Sequence, residues 1–371
     1  MAPSPLCFRR RHDRQSRCDQ RGKPMKGDRP DLLLHVGIHK TGTTALQQAL
    51  AAARSGLAEQ GISYPDTGPE MPLDSLRSSS AHHGVAHRLA SMSTTERLQL
   101  ALFRRKLERH ANRARLTVLS SEAFHRHLPA GGKGKGRTWM QAHEAYMRDV
   151  RSYLASFRCT AFMVVRDPID FIESIFKEAV TKTTARGVPD FPIFARRAVR
   201  YVDFAAHAAC LRRTFDDIAI RRYEDLKAQG GIVTSVFREI GADMPQGCEE
   251  RARKSVSNTA ALWLHARMGS GSLLRRHARV LYAARDPDGL FSETSRTSLW
   301  SSPEVVSEYL LLHRDRFAAM GYGHVDDRPV RPAVWTSEQD DVATRAFEAW
   351  FRRNAHRVAG RIAVGRRHYH P

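Results

Sequence analysis

The sequence has few of the features that mark secreted, zinc-binding or membrane-spanning proteins. Its 371 residues include only five cysteines, which are scattered along the chain and form no C-x-x-C pair. This argues against a disulfide framework or a zinc knuckle and fits a reducing compartment. No apolar run approaches the roughly 20 residues of a membrane span, and the arginine-rich N-terminus lacks the apolar stretch of a secretory signal. We therefore expect a cytoplasmic protein.

Acidic residues are also scarce relative to basic ones. The chain has 60 Lys and Arg against 39 Asp and Glu, a formal net charge of +21. Residues 1–30 carry nine of these basic residues and three acidic ones. We interpret them as a disordered basic tail, with a nucleic-acid or membrane tether as the alternative and Met25 as an alternative start. The remainder is still basic, which favours anionic partners such as phosphorylated cofactors, acidic glycans, nucleic acid or anionic lipid surfaces.

Apolar runs alternate with helical patterns from residue 31 onward. Residues 31–36 predict a buried strand, and residues 44–60 predict a helix that ends at Gly61. Further strands are predicted at 116–120, 159–165 and 218–222, and further helices at 95–114, 140–157, from 168 and at 226–240. This alternation predicts a three-layer α/β fold, in which helices cover both faces of a parallel sheet.

Two segments interrupt the alternation. Residues 131–137 (GGKGKGR) predict a flexible basic loop, either a solvated linker or a lid over a substrate. The helix predicted at 342–363 places apolar side chains on one stripe opposite arginines, namely Phe347, Trp350, Phe351, Val358 and Ile362. We expect this stripe to pack on the protein's own core, with a membrane or a partner as the alternatives.

A glycine-containing loop, Gly37-Ile-His-Lys-Thr-Gly-Thr-Thr44, follows the first predicted strand. A turn from strand to helix directs backbone N–H groups and the positive end of the helix dipole at an anion. The segment approaches the G-x-x-x-x-G-K-[ST] motif, but Thr43 occupies the lysine position and Lys40 lies inside the loop. Kinases and ATPases use the missing lysine against a triphosphate. Because Lys40 lies inside the loop instead, it could contact the bond between a phosphate and its terminal group, which indicates a ligand other than a triphosphate. The alternative is a degenerate P-loop.

A second motif, Arg166-Asp-Pro-Ile-Asp-Phe-Ile-Glu-Ser174, follows the strand predicted at 159–165. Ligands bind at the carboxyl ends of strands in open parallel sheets. Asp167 is a suitable helix N-cap and Pro168 a suitable first helical residue. Arg166 and Ser174 could clamp a phosphate together. The alternative is a capped helix with a surface arginine.

Together these motifs resemble those of sulfotransferases, especially a bacterial group with an H-K-T-G-T-T loop and an R-[DN]-P-x-D signature followed by Ser. The resemblance covers roughly residues 31–270. It implies a P-loop NTPase-like sulfotransferase architecture, with 3′-phosphoadenosine 5′-phosphosulfate as the donor and no metal. With the sequence patterns at its two ends, the chain is divided into a disordered basic tail (1–30), a sulfotransferase catalytic domain (31–330) and a C-terminal helical extension (331–371).

The resemblance assigns roles to individual residues. Lys40 would stabilise the departing phosphate oxygen, and Tyr223, in a Y-E-D-L segment, would lie near the adenine nucleotide unless it is an ordinary core tyrosine. Arg253 is a loose match to a late basic residue that contacts the 3′-phosphate. The complete predicted donor-binding set is Lys40, Thr41, Gly42, Thr43, Thr44, Arg166, Ser174, Tyr223 and Arg253.

The acceptor's general base is expected just after the strand at 116–120. Glu122 is the first choice by resemblance, unless it caps the next helix or pairs with an arginine. His82 and His83 are the rivals, because imidazole titrates near working pH. His83 and His87 have the spacing of zinc ligands on a helix, but no third ligand is near in sequence, and we expect no metal.

The predicted function is therefore sulfuryl transfer to a hydroxyl or amine of an unidentified carbohydrate, lipid or small metabolite. Variable loops around residues 67–94, 125–137 and 180–195 would contact this acceptor. Nucleic acid is not an expected substrate, whereas peripheral membrane contact is compatible with the charge. The alternatives are a P-loop kinase or other ATP-using enzyme, and a basic nucleic-acid- or membrane-binding protein on a degenerate P-loop fold.

Overall fold

The computed structural model describes residues 29–38, 40–67, 80–128, 138–182, 187–244, 256–292, 297–318, 320–322 and 330–367. Residues 1–28 of the predicted N-terminal tail, the predicted loop at 131–137 and Arg253 fall outside these residues. The chain divides into two compact units, one formed by Met1–Arg166 with Ala206–Ala252 and the other by Asp167–Ala205 with Arg253–Pro371. The domain division proposed from the sequence stays a prediction.

The first unit is built on a five-stranded parallel sheet. Its strands are β1 (Asp31–His35), β2 (Ile62–Ser63), β3 (Leu116–Ser120), β4 (Arg158–Val165) and β5 (Asp217–Arg222). They are ordered β2-β3-β1-β4-β5, and each neighbouring pair is parallel. All five residues of β1 are buried, as expected for a central strand that is covered on both faces. The predicted α/β fold class is confirmed.

Helices occupy most of the remaining described residues. In chain order they are α1 (Thr43–Ala52), α2 (Arg54–Glu59), α3 (His83–Ser91), α4 (Thr94–Ala111), α5 (Ala123–Arg126), α6 (Trp139–Tyr153), α7 (Pro168–Thr181), α8 (Phe191–Val202), α9 (Phe204–Thr214), α10 (Tyr223–Ala228), α11 (Ile232–Glu239), α12 (Asn258–Ala266), α13 (Leu273–Arg285), α14 (Pro303–Leu312), α15 (Arg314–Ala318) and α16 (Ser337–Arg367). Helices α7, α8 and α12–α16 belong to the second unit. None of the helices in the described ranges is both long and apolar enough to cross a membrane.

The core of the first unit lies on both faces of the sheet. On one face Leu33 and Phe162 pack with Leu46 of α1 and Phe237 of α11 in a single buried cluster. Successive strand residues point to opposite faces, and Leu34, the neighbour of Leu33, is also fully buried. Apolar packing on both faces of the sheet holds the strands in place, including the strand ends where the candidate site residues lie.

Two predicted helices are shorter than their sequence patterns suggest. Residues 44–60 form α1 and α2, which meet at Ala53. Residues 226–240 are divided between α10 and α11 by Gly230 and Gly231, whose φ angles are 102° and 98°. Consecutive positive φ angles end a right-handed helix, and glycine adopts them with the least strain.

The second unit confirms that the apolar stripe of the C-terminal helix packs on the protein's own core. Phe347 of α16 is 1% exposed, and its ring lies 5.9 Å from Trp263 and 5.7 Å from Tyr282, centroid to centroid. Two ion pairs hold the polar edge of the helix, Arg267 with Asp340 and Arg275 with Glu348. Three residues of the stripe, Phe347, Trp350 and Val358, are therefore buried by the protein itself.

We expect Phe347→Ala to lower the free energy of unfolding by about 3–5 kcal/mol, because it leaves a cavity among aromatic rings. The measurement is urea unfolding followed by tryptophan fluorescence. Leu312→Ala is the matched control in the same unit, since Leu312 is 72% exposed, and its effect should stay within about 0.5 kcal/mol. Equal effects of the two substitutions would contradict this packing.

Candidate functional site

The loop between β1 and α1 has the backbone geometry of an anion site. Lys40 has a φ of 67° and Gly42 a φ of 78°, both in the left-handed region. Alternation of left- and right-handed residues directs consecutive N–H groups to one side. The Thr41 hydroxyl donates to the Ile38 carbonyl over 2.7 Å and so closes the loop on itself. Thr41 therefore shapes the loop in this structure.

The first turn of α1 lies directly against the loop. Gly42 is its N-cap, no side chain caps it, and no acidic residue occurs in its first turn. Its N–H groups and the positive end of its dipole are thus available to an anion. Gly37 is required here, because a Cβ at that position would lie 2.5 Å from Cγ2 of Thr43. Thr43 itself is 3% exposed, whereas Thr44 is half-buried.

Arg166 and Tyr223 lie at the carboxyl ends of β4, which pairs with β1, and of β5, which pairs with β4. Arg166 follows β4, and its Nη1 donates to the Lys40 carbonyl oxygen over 3.0 Å. Tyr223 follows β5, and its ring centroid is 5.4 Å from the Arg166 guanidinium carbon. Three residues predicted from separate motifs, Lys40, Arg166 and Tyr223, are thereby brought together in the first unit.

The two candidate bases lie at the carboxyl end of β3, the strand on the other side of β1. Glu122 directly precedes α5, but its side chain makes no capping hydrogen bond to that helix. His83 is half-buried at the start of α3, with Nδ1 2.8 Å from the Ser121 hydroxyl oxygen. The same hydroxyl accepts from the Ala123 N–H. The Ser121 hydroxyl therefore connects His83 on α3 to the start of α5, which Glu122 precedes.

His82 has a structural position. It is 1% exposed, its Nδ1 accepts from the Ser120 N–H, and its Nε2 lies 2.8 Å from the Pro65 carbonyl oxygen. Burial lowers the pKa of His82 to about 4. With both ring nitrogens bonded inside the protein, His82 is not placed to take a proton from an acceptor.

A buried polar group beneath the loop was not identified from the sequence. Nδ1 of His35, the last residue of β1, lies 2.8 Å from the Ser120 hydroxyl oxygen, which also accepts from Gln47 of α1. Burial lowers the pKa of His35 to about 4. Its Nε2 is buried and has no hydrogen-bond partner among the described residues. The only sequence signal was a histidine that ends the apolar run DLLLH.

More histidines cluster beyond β3. The rings of His125 and His143 lie near His207, with centroid distances of 4.3 and 5.3 Å to it, and Trp139 stacks on His143. Burial, and secondarily His207, lower the pKa of His143 to about 3. Within the described ranges, no group of three or more His, Cys, Asp or Glu side chains could hold a metal ion.

The remaining predicted residues belong to the second unit. Asp167 caps α7 as predicted, since its Oδ1 accepts from the N–H groups of Ile169 and Asp170 over 3.0 Å each. Ser174 lies on α7 and is 8% exposed. Its neighbour Glu173 is buried and accepts from the Leu299 N–H over 2.8 Å. The phosphate-binding role of Ser174 stays a prediction from the motif.

We expect the stability of the fold to decrease as the pH falls from 6.5 to 4.5. His35, His82 and His143 have folded-state pKa values below the unfolded value of about 6.5. The unfolded state therefore binds more protons in this window, and stability present above pH 6.5 is lost toward pH 4. Urea unfolding across this range measures the slope.

His143→Phe should reduce this slope by about 1.4 kcal/mol per pH unit, the effect of one proton. Tyr153→Phe on the same helix is the matched control. It removes a hydrogen bond to the Leu100 carbonyl and should shift stability equally at every pH. If His143→Phe kept the wild-type slope of stability against pH, the lowered pKa assigned to His143 would be wrong.

Comparisons with known proteins give similarity to solved structures but no match by sequence. No protein-family model matches the chain, and no curated protein matches it. Among solved structures, it is similar to the sulfotransferase domain from the curacin biosynthetic pathway, with 14% identity and a TM-score of 0.35. The match covers 67% of this chain and 82% of that domain. A TM-score this low assigns neither ancestry nor activity.

Proposed function

We propose that the chain is a sulfotransferase that uses 3′-phosphoadenosine 5′-phosphosulfate as its donor. The observation that carries this proposal is the contact of Arg166 with the Lys40 carbonyl and the Tyr223 ring. It brings the backbone of Lys40, the Arg166 guanidinium and the Tyr223 ring together at the carboxyl ends of β1, β4 and β5. A donor with two anionic groups and an adenine base calls for these side chains.

The residues of the first unit fit such a donor. The uncapped start of α1 offers N–H donors to a phosphate, and the left-handed loop adds others. Gly37 leaves the room that the turn needs beside Thr43. Lys40 supplies the positive charge from inside the loop, where a triphosphate-binding motif has none. Ser174 and Arg253 stay predictions of the sequence for the 3′-phosphate.

In the donor, the sulfuryl group is bonded to an oxygen of the 5′-phosphate, and the nucleotide is the leaving group. In the proposed reaction an acceptor oxygen or nitrogen forms a bond to sulfur as the bond from sulfur to the phosphate oxygen breaks. The acceptor's proton passes to a base of the protein, and the bisphosphate departs. The Lys40 ammonium would stabilise the charge that develops on the departing oxygen, an interaction strongest in the transition state.

Glu122 and His83 are both retained as candidates for the base. Each lies beside Ser121 at the end of β3, next to the strand that leads into the loop. A carboxylate and a neutral imidazole can both accept a hydroxyl proton. The acceptor is proposed as a hydroxyl or amine compound of the carbohydrate, lipid or small-metabolite class.

We expect 3′-phosphoadenosine 5′-phosphate, the product nucleotide, to bind without a metal and more tightly than ATP with magnesium. Arg166→Ala should weaken this binding by about 1.5–3 kcal/mol, the value of a hydrogen bond to a charged group. Isothermal titration calorimetry measures both. Arg105→Ala is the matched control, because Arg105 is an exposed arginine on α4; its binding should equal that of the wild type.

Preference for magnesium-ATP would contradict the proposal and favour the kinase alternative. Equal binding by Arg166→Ala and Arg105→Ala would remove the proposed role of Arg166. Salt-sensitive DNA binding without any nucleotide preference would favour a basic binding protein.

A further inference from the structure

A cationic notch lies in the second unit, and the described residues that line it include none of those proposed for the donor. It is a cavity of about 20 Å³ bordered by the ends of α7 and α12, the turn that follows α12, and α13. Four of its lining side chains are basic: Lys182, Arg267, Arg276 and Arg279. The other described lining residues are apolar or glycine, and none of them is acidic.

Two of these four cations have acidic partners. Arg267 donates to both carboxylate oxygens of Asp340, over 2.6 and 2.5 Å. Lys182 lies 3.0 Å from Glu178, one turn earlier. Their charges are thus balanced within the unit.

Neither Arg276 nor Arg279 forms an ion pair with an acidic side chain of the described residues, although the charge of Glu348 acts on Arg279. Arg276 is half-buried, and its Nε is fully buried without a hydrogen-bond partner in the described part of the chain. Arg279 is fixed by hydrogen bonds from Nη1 to the carbonyl and hydroxyl oxygens of Ser270, but its Nε also has no partner there. Burial, together with Arg267 and Arg275, lowers the pKa of Arg279. A buried guanidinium N–H without an acceptor is costly and calls for an explanation.

We propose that Arg276 and Arg279 form an oxyanion-binding site for a sulfate or phosphate group. The two residues are three positions apart on α13 and therefore share a face of the helix. Guanidinium groups match the geometry of such anions and bind them through charge-assisted hydrogen bonds. The notch has the volume of about one water-sized sphere, so it admits an oxygen atom of the anion while the remainder stays in solvent. This site is independent of the proposed donor site.

The test is equilibrium dialysis with ³⁵S-sulfate at constant ionic strength set by chloride, on the full chain. Wild type should bind sulfate at this site, and Arg276→Gln should bind it about tenfold or more weakly. Arg352→Gln removes an exposed arginine of α16 and should bind as the wild type does. In a parallel titration, inorganic phosphate competes with the labelled sulfate. If phosphate displaces it at lower concentration than unlabelled sulfate does, the ligand is a phosphate group; otherwise it is a sulfate group.

Stability in chloride alone gives a second readout. Arg276→Gln should be at least as stable as the wild type without sulfate, because it removes a half-buried cation whose Nε has no hydrogen-bond partner among the described residues. Arg279→Lys keeps the charge but loses the planar guanidinium group, and should also bind sulfate more weakly. Unchanged sulfate binding in both Arg276→Gln and Arg279→Lys would overturn the proposal. It would also be overturned if the wild type bound chloride as tightly as sulfate. Sulfate bound at the loop of β1 would persist in both variants and so be told apart.

Discussion

The hydrogen bond from the Arg166 guanidinium to the Lys40 carbonyl is the contact on which the proposed donor site depends. Lys40 has a left-handed backbone, a conformation that costs a non-glycine residue about 1–2 kcal/mol. Strain of this kind persists only where surrounding groups hold it. Arg166 holds the carbonyl while its own guanidinium lies against Tyr223. One arginine thereby links the ends of β1, β4 and β5.

Beneath this contact, neutral polar side chains support the loop. His35, Ser120 and Gln47 join β1, β3 and α1 through the Ser120 hydroxyl, and His82 ties the start of α3 to the same strand. Burial lowers the pKa of both imidazoles to about 4, so both are uncharged at neutral pH. They therefore add no positive charge beneath the loop that would compete with Lys40 for an anion. The Ser121 N–H donates to the His35 carbonyl, which brings the segment of Glu122 up to the strand that carries the loop.

The sequence predicted those features of the site that depend on local patterns. Apolar runs identified β1, β3, β4 and β5, and the order of aspartate and proline identified the start of α7, because strand burial and helix capping act within a few residues. The two-residue strand β2 carried too little pattern to be found. The His35–Ser120 hydrogen bond joins residues 85 positions apart, and the position of His82 depends on Pro65 and β3. Such contacts follow from tertiary packing, which a single sequence does not display.

The proposed role of Lys40 in transfer from a phosphosulfate donor is tested most directly by a labelled transfer assay. It follows ³⁵S from labelled 3′-phosphoadenosine 5′-phosphosulfate into extracted carbohydrates, lipids and small metabolites, with wild type and Lys40→Met compared. We expect labelled product and released bisphosphate with the wild type. Transfer by Lys40→Met should be about 10²–10³ slower, the effect of losing one group that stabilises the transition state. Equal transfer by the two proteins, or no transfer into any of the three pools, would rule out this role of Lys40.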